Sequence, residues 1–171
     1  MTRPTVKLSL VALGLVGLIL WASSLGGGHM GEPLPALTLD VGAGGVPGQR
    51  VALSALRGQV VLLDLWASFC PPCRASVPIL NALAAELGPR GLRTFGINTE
   101  ALPPERLLQL HTAWGFGYPT LADPRLALPL AFDVQVYPTL LIFDRGGHLR
   151  GIHRGVPNQP ALRNQIASLL E

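Results

Sequence analysis

The rhythm of hydrophobic and polar positions changes several times along this chain, and each change marks an element. Residues 8–28, "LSLVALGLVGLILWASSLGGG", carry no formal charge and have no polar face. A helix of about 20 such residues crosses the hydrocarbon core of a bilayer. The stretch "GGGHMGEPLPAL" is rich in Gly and Pro and reads as a tether. "LTLD" and "VPGQRVALSAL" predict short strands or turns. "QVVLLDLWA" (59–67) is a continuous apolar run, the pattern of a strand buried on both faces. From Pro71 onward Val77, Leu80, Leu83, Ala84 and Leu87 recur at helical spacing, and Gly88-Pro89 ends the helix. "GLRTFGIN" (91–98) predicts a second buried strand, "PPERLLQLHTAWG" (103–115) a helix between prolines and glycine, and "DPRLALPLAF" a helical turn. "PTLLIFDRGGHLRGIHRG" reads as two strands joined at "DRGG", and "NQPALRNQIASLLE" as a last helix starting near Asn158 or Gln159. Strands alternating with helices, then a hairpin and a helix, imply an α/β fold with a mixed sheet covered on both sides.

Charge adds a direction to the N-terminal run. Arg3 and Lys7 precede it, which predicts a cytoplasmic N-terminus and an exported C-terminal domain. The organisation expected is an anchor over 1–28, a linker over 29–36 and a domain over 37–171. A cleaved signal peptide, cut after the small residues of "WASS", is the competing reading. Both put the domain outside the cytoplasm, where disulfides persist. Setting Arg3 and Lys7 aside, eleven basic residues face ten acidic ones, and the arginines are scattered. A nucleic-acid binder needs a basic stripe, and none is present.

Candidate chemistry lies in "LLDLWASFCPPCRASVPIL" (62–80), which holds the two cysteines of the chain, Cys70 and Cys73. At a helix start the first turn brings two such side chains together. The unpaired N–H groups and positive dipole end there stabilise a thiolate, so the pKa of the first cysteine should fall. The second, more buried, would resolve a mixed disulfide formed at the first. A purely structural disulfide enclosing two residues would restrain the unfolded chain weakly. A zinc site needs about four ligands, and His29, His111, His148 and His153 are dispersed and read as surface residues. Covalent haem attachment needs His after Cys73, where Arg74 stands. Asp64, inside the apolar strand, should have a raised pKa and could exchange a proton.

Taken together, "DLWASFCPPCR", Pro78 inside the following helix and "VQVYPTLLIFDRGG" downstream resemble the thioredoxin superfamily. Within it, "WASFCPPCR" resembles the exported, membrane-anchored TlpA and ResA type, over residues 34–171. That resemblance implies a three-layer α/β/α fold with a central mixed sheet, preceded by a transmembrane or signal helix. It implies that Cys70 attacks and Cys73 resolves, that Pro138 is cis, and that Tyr137 offers backbone to a client chain. Asp64 would assist deprotonation of Cys73, as in thioredoxins, where many TlpA-like proteins have Asn. Glu100 falls near a glutamate that ResA-like proteins keep beside the disulfide. Trp66, Phe69, Pro71 and Pro72 are expected in the client-binding surface, although Trp66 packs beside the disulfide without chemistry of its own. Phe69 stands where the family usually has tryptophan, and Pro71 and Pro72 remove two N–H groups from the helix start.

The function implied is an extracytoplasmic thiol–disulfide oxidoreductase without a separate cofactor or metal. It would reduce client disulfides, apocytochrome c foremost, with electrons from a membrane thiol reductase. Two alternatives remain at this point: an oxidant that forms disulfides in exported proteins, and a Cu(I)-binding assembly factor for cytochrome oxidase.

Overall fold

Seven strands form one sheet in the order β2-β1-β5-β4-β3-β6-β7. The computed structural model describes residues 29–46 and 48–171. The strands are β1 (Thr38–Ala43), β2 (Arg50–Ala52), β3 (Val60–Trp66), β4 (Leu92–Asn98), β5 (Thr120–Ala122), β6 (Thr139–Phe143) and β7 (Leu149–Arg154). The helices are α1 (Pro71–Leu87), α2 (Pro104–Trp114), α3 (Ala127–Ala131) and α4 (Gln159–Leu169). β3 runs parallel to β4, and β4 to β5, while β6 is antiparallel to both β3 and β7. The sheet is therefore mixed.

β3 is the centre of the molecule. All seven of its residues are buried, because helices or turns cover both faces of the sheet. Val60, Leu62 and Trp66 join one core with Cys73, Val77, Leu80 and Leu83 of α1, Leu107 of α2 and Leu162 and Ile166 of α4. Val61, Leu63 and Leu65 join the other with Leu53, Phe95, Leu128, Phe132 and Phe143. Each fully buried Leu or Val contributes about 1.5–3 kcal/mol by leaving water. The two layers are unequal. The crossovers β3–α1–β4 and β4–α2–β5 step in the same direction across the sheet, so right-handedness puts α1 and α2 on the same face. α3 and a 3₁₀ turn at Leu53–Leu56 cover the other.

Helix ends follow the residues that stand there. Gly115 closes α2 in the left-handed conformation at φ 72°, its N–H donating to the last turn. The side chain of Asn158 caps α4 by accepting from the Ala161 N–H. Asp123, itself buried, accepts from the Ala127 and Leu128 N–H groups at the start of α3.

Three expectations need correction. The linker assigned to 29–36 is in part folded: the Gly31 N–H donates to the Leu149 carbonyl, Leu34 N–H to Gly147, and Leu34 is buried. Leu34 is apolar and fills the second core, which composition alone did not reveal. His111 is not a surface residue. It is buried, its Nδ1 lies 3.2 Å from Thr120 Oγ1, and its ring stacks on Phe116. β5 was not anticipated as a strand. The predicted anchor, 1–28, lies outside the described residues, among which no helix is long and apolar enough to cross a membrane.

Candidate active site

The sheet carries β3 directly into a turn, Ala67–Cys70, closed by a Cys70 N–H to Ala67 carbonyl bond of 3.2 Å. Cys70 is the N-cap of α1, with extended backbone. Pro71 and Pro72 occupy the first two helical positions, where a missing N–H costs no helical bond. The first N–H that α1 can offer is thus that of Cys73, and it points at Cys70 Sγ at 3.2 Å. The prolines remove two donors and leave this one, which the Cys70 carbonyl shares at 3.1 Å, in line with the positive end of the helix.

Cys70 and Cys73 form a disulfide, with a Cα–Cα distance of 5.3 Å. Cys70 retains 6% exposure and Cys73 only 1%. Attack from outside therefore falls on Cys70. Phe69, at 73% exposure, and the exposed Pro71 and Pro72 stand around it. The Tyr137–Pro138 peptide bond is cis. Thr139 pairs with Leu65 at the end of β3 that leads to the redox turn, so Pro138 lies at that same end of the sheet. The Gly155 N–H donates to the Pro138 carbonyl, which brings the exposed Val156 to this end as well; Val136, before Tyr137, is also exposed.

Asp64 is 1% exposed. Burial pushes its carboxyl up to about 7 against the opposing effect of a hydrogen bond from Tyr118. The Tyr118 hydroxyl donates to Asp64 Oδ2 at 3.0 Å, and Asp64 Oδ1 has no hydrogen-bond partner among the described residues. Tyr118 was not singled out by sequence reading. An isolated tyrosine before a three-residue strand carries no periodic signal, and only the sheet order brings it under α1.

Glu100 is placed against the redox turn. Its carboxylate accepts from the Ser68 hydroxyl at 2.8 Å, from the Ser68 N–H, and from Asn98 Nδ2 at 3.3 Å. It thereby ties the end of β4 to the residue two before Cys70. Trp66 requires correction as a client contact. It is wholly buried, with its ring centroid 5.0 Å from that of Trp114 and 5.1 Å from that of Phe116, because it is the last residue of a strand covered on both faces. No group of three metal-ligating side chains occurs among the described residues.

A disulfide at a helix start, a cis-proline at the same end of a mixed sheet and a buried acid behind the helix define a thioredoxin-like protein with a C-x-x-C site. Residues 29–170 match the Redoxin family, and the chain belongs to it. It is 30% identical over 158 residues to the thiol:disulfide interchange protein DsbE of Pseudomonas aeruginosa, covering 91% of this chain and 83% of that protein. To the thiol-disulfide oxidoreductase ResA of Halalkalibacterium halodurans it is 28% identical over 109 residues, 63% of this chain and 61% of that one. Among solved structures, one assigned as a DsbE thiol:disulfide interchange protein from Chlorobium tepidum superposes with a TM-score of 0.74. The identity there is 28%, over 83% of this chain and 98% of that chain.

Proposed function

We propose that this thiol–disulfide oxidoreductase works outside the cytoplasm, held to the membrane by residues 1–28, as a reductant of disulfides in client proteins. Apocytochrome c before haem attachment is the client that the likeness to the TlpA and ResA type favours. The observation that carries the reading is the Cys70–Cys73 disulfide at the start of α1, with the first sulfur the more exposed.

In the reduced protein the Cys70 thiolate, supported by the Cys73 N–H and the helix dipole, attacks one sulfur of a client disulfide. That S–S bond breaks, the other client sulfur leaves as a thiolate and takes a proton from water, and a mixed disulfide joins Cys70 to the client. Asp64 then accepts the proton of Cys73. The Cys73 thiolate attacks Cys70 Sγ, the mixed disulfide breaks, and the Cys70–Cys73 bond forms as the second client sulfur departs. Two electrons have passed to the client, and a dithiol of a membrane thiol reductase returns them. The exposed apolar residues Phe69, Val136 and Val156 suit an unfolded client segment, and the backbone of Tyr137 suits pairing with an extended one.

Replacing Cys73 with Ala in the full chain removes the resolving thiol. Non-reducing gels of membranes are then expected to show Cys70-linked adducts that dithiothreitol releases and that Cys70→Ala abolishes. A membrane preparation without such adducts would count against the reading. Thiol trapping in intact cells decides direction: a mostly reduced pair supports the reductant, a mostly oxidised one the disulfide-forming alternative.

A further inference from the structure

We propose that Tyr118 is a positioning residue of the redox site: its hydroxyl holds Oδ2 of Asp64 and leaves Oδ1 as the single oxygen through which that carboxyl exchanges a proton with Cys73. The inference rests on the reading of Asp64 as the proton acceptor for Cys73, and it adds the residue that decides how that acceptor is presented.

The geometry is specific. Both partners are buried, Asp64 at 1% and Tyr118 at 4% exposure, and the bond between them is 3.0 Å. Oδ1, equally buried, has no partner, so the two oxygens of one carboxyl have different tasks. Asp64 lies on the same face of β3 as Leu62 and Trp66, which share a core with Cys73, Val77 and Tyr118. The segment that carries Tyr118 is fixed to the helix that carries Cys73. Asn81 of α1 donates to the Gly115 carbonyl at 2.7 Å and accepts the Gly117 N–H at 2.7 Å. The tyrosine ring is held edge-on by Phe116, 5.3 Å away. Hydroxyl, carboxyl and thiol-bearing helix are thus parts of one rigid assembly.

The hydroxyl suits the task chemically. Burial and the Asp64 charge push its pKa far above the ordinary phenol range, so it stays a donor at every working pH. It bonds Oδ2 both in the carboxylate and in the acid protonated at Oδ1. A donor to a carboxylate stabilises the charged form, so Tyr118 keeps Asp64 ionisable near neutral pH where burial alone would hold it protonated.

Other titratable groups stand further off. Cys70 and Cys73 belong to the core that Leu62 and Trp66, on the Asp64 face of β3, share with α1. His153 of β7 lies in the same cross-strand row, beyond Leu140 of β6, about 10 Å away at ~4.8 Å per strand, and pairs with Gln165 of α4. At the other end of the row, beyond Gly96 of β4, Thr120 of β5 holds His111 of α2. The Glu86–Arg163 pair joins α1 to α4 on the solvent side. Among the described residues Tyr118 is the one group hydrogen-bonded to the carboxyl.

The test is Tyr118→Phe, which keeps the ring packing and deletes the hydroxyl. With 13C-labelled aspartate, the Asp64 carboxyl of the oxidised protein is expected to titrate near 7 in the parent and about one pH unit higher in the variant, a roughly fivefold loss of carboxylate at pH 7. The pH profile for resolution of a preformed Cys70 mixed disulfide should move upward by the same amount, with its alkaline plateau kept. Asp64→Asn should erase that limb, and adding Tyr118→Phe to Asp64→Asn should change nothing further. An Asp64 midpoint unmoved in Tyr118→Phe overturns the proposal while leaving Asp64 as the base. A profile that Asp64→Asn does not alter overturns both.

Discussion

A carboxyl in the middle of a wholly buried strand is costly for the fold, and the sign of that cost can be worked out. Asp64 ionises near 7 in the folded protein against an ordinary value of 3.8. Between those values the folded state keeps a proton that the unfolded chain has released. The contribution of Asp64 to stability therefore falls as pH rises from about 4 to about 7 and is level on either side, the whole change being on the order of 4 kcal/mol. Asp64→Asn removes the titration. Urea unfolding at pH 5 and pH 8 should show the parent losing a few kcal/mol at the higher pH and the Asn variant losing distinctly less. Equal losses would mean that the carboxyl does not carry its burial as a proton affinity. On the proposal that Asp64 accepts the Cys73 proton, that penalty is what matches the base to thiol chemistry.

At the scale of elements, the cross-strand row of Asp64, Gly96 and Thr120, flanked by Trp66, makes one glycine indispensable. A Cβ on Gly96 would lie 2.9 Å from Thr120 Oγ1 and 3.1 Å from Trp66 Nε1. Both walls are short or rigid side chains in a packed core, so Gly96→Ala should cost roughly 1–3 kcal/mol. Chemical denaturation followed by tryptophan fluorescence reads the loss, and an unchanged midpoint would refute it. This row also shows what the sequence could express. β3 and β6 were legible as continuous apolar runs, α1 by its helical period, and the β6–β7 hairpin by the turn residues between its strands. Cys70, Cys73 and Asp64 stood out as residue types unusual in their places, and the cis Pro138 came from the family resemblance. β5 has three residues between Pro119 and Pro124, too few to show a period, and the buried His111 lies against Thr120 of it. Trp66 looked like a client contact because it adjoins the redox turn, whereas two-sided burial of β3 turns it inward.

For the whole molecule, the ends of the sheet divide the work. Residues 31–34 join at Gly147 and Leu149, and Leu149 pairs with Phe143, itself opposite Val61 at the start of β3. The redox turn follows Trp66 at the other end, some 20 Å along a seven-residue strand. The join of residues 31–34 and the redox turn thus stand at opposite ends of β3. The core, the disulfide and the Asp64–Tyr118 pair all lie within residues 31–171, a compact unit. A chain starting at His29 should accordingly fold and reduce a small model disulfide with the pH profile of the full chain, differing by less than about twofold. The full chain should sediment with membranes and the shortened one should not. Loss of cooperative unfolding in the shortened chain would show that the first 28 residues belong to the fold. If both chains stay soluble, the anchor reading fails, while the chemistry at Cys70 and Cys73 stands unaffected.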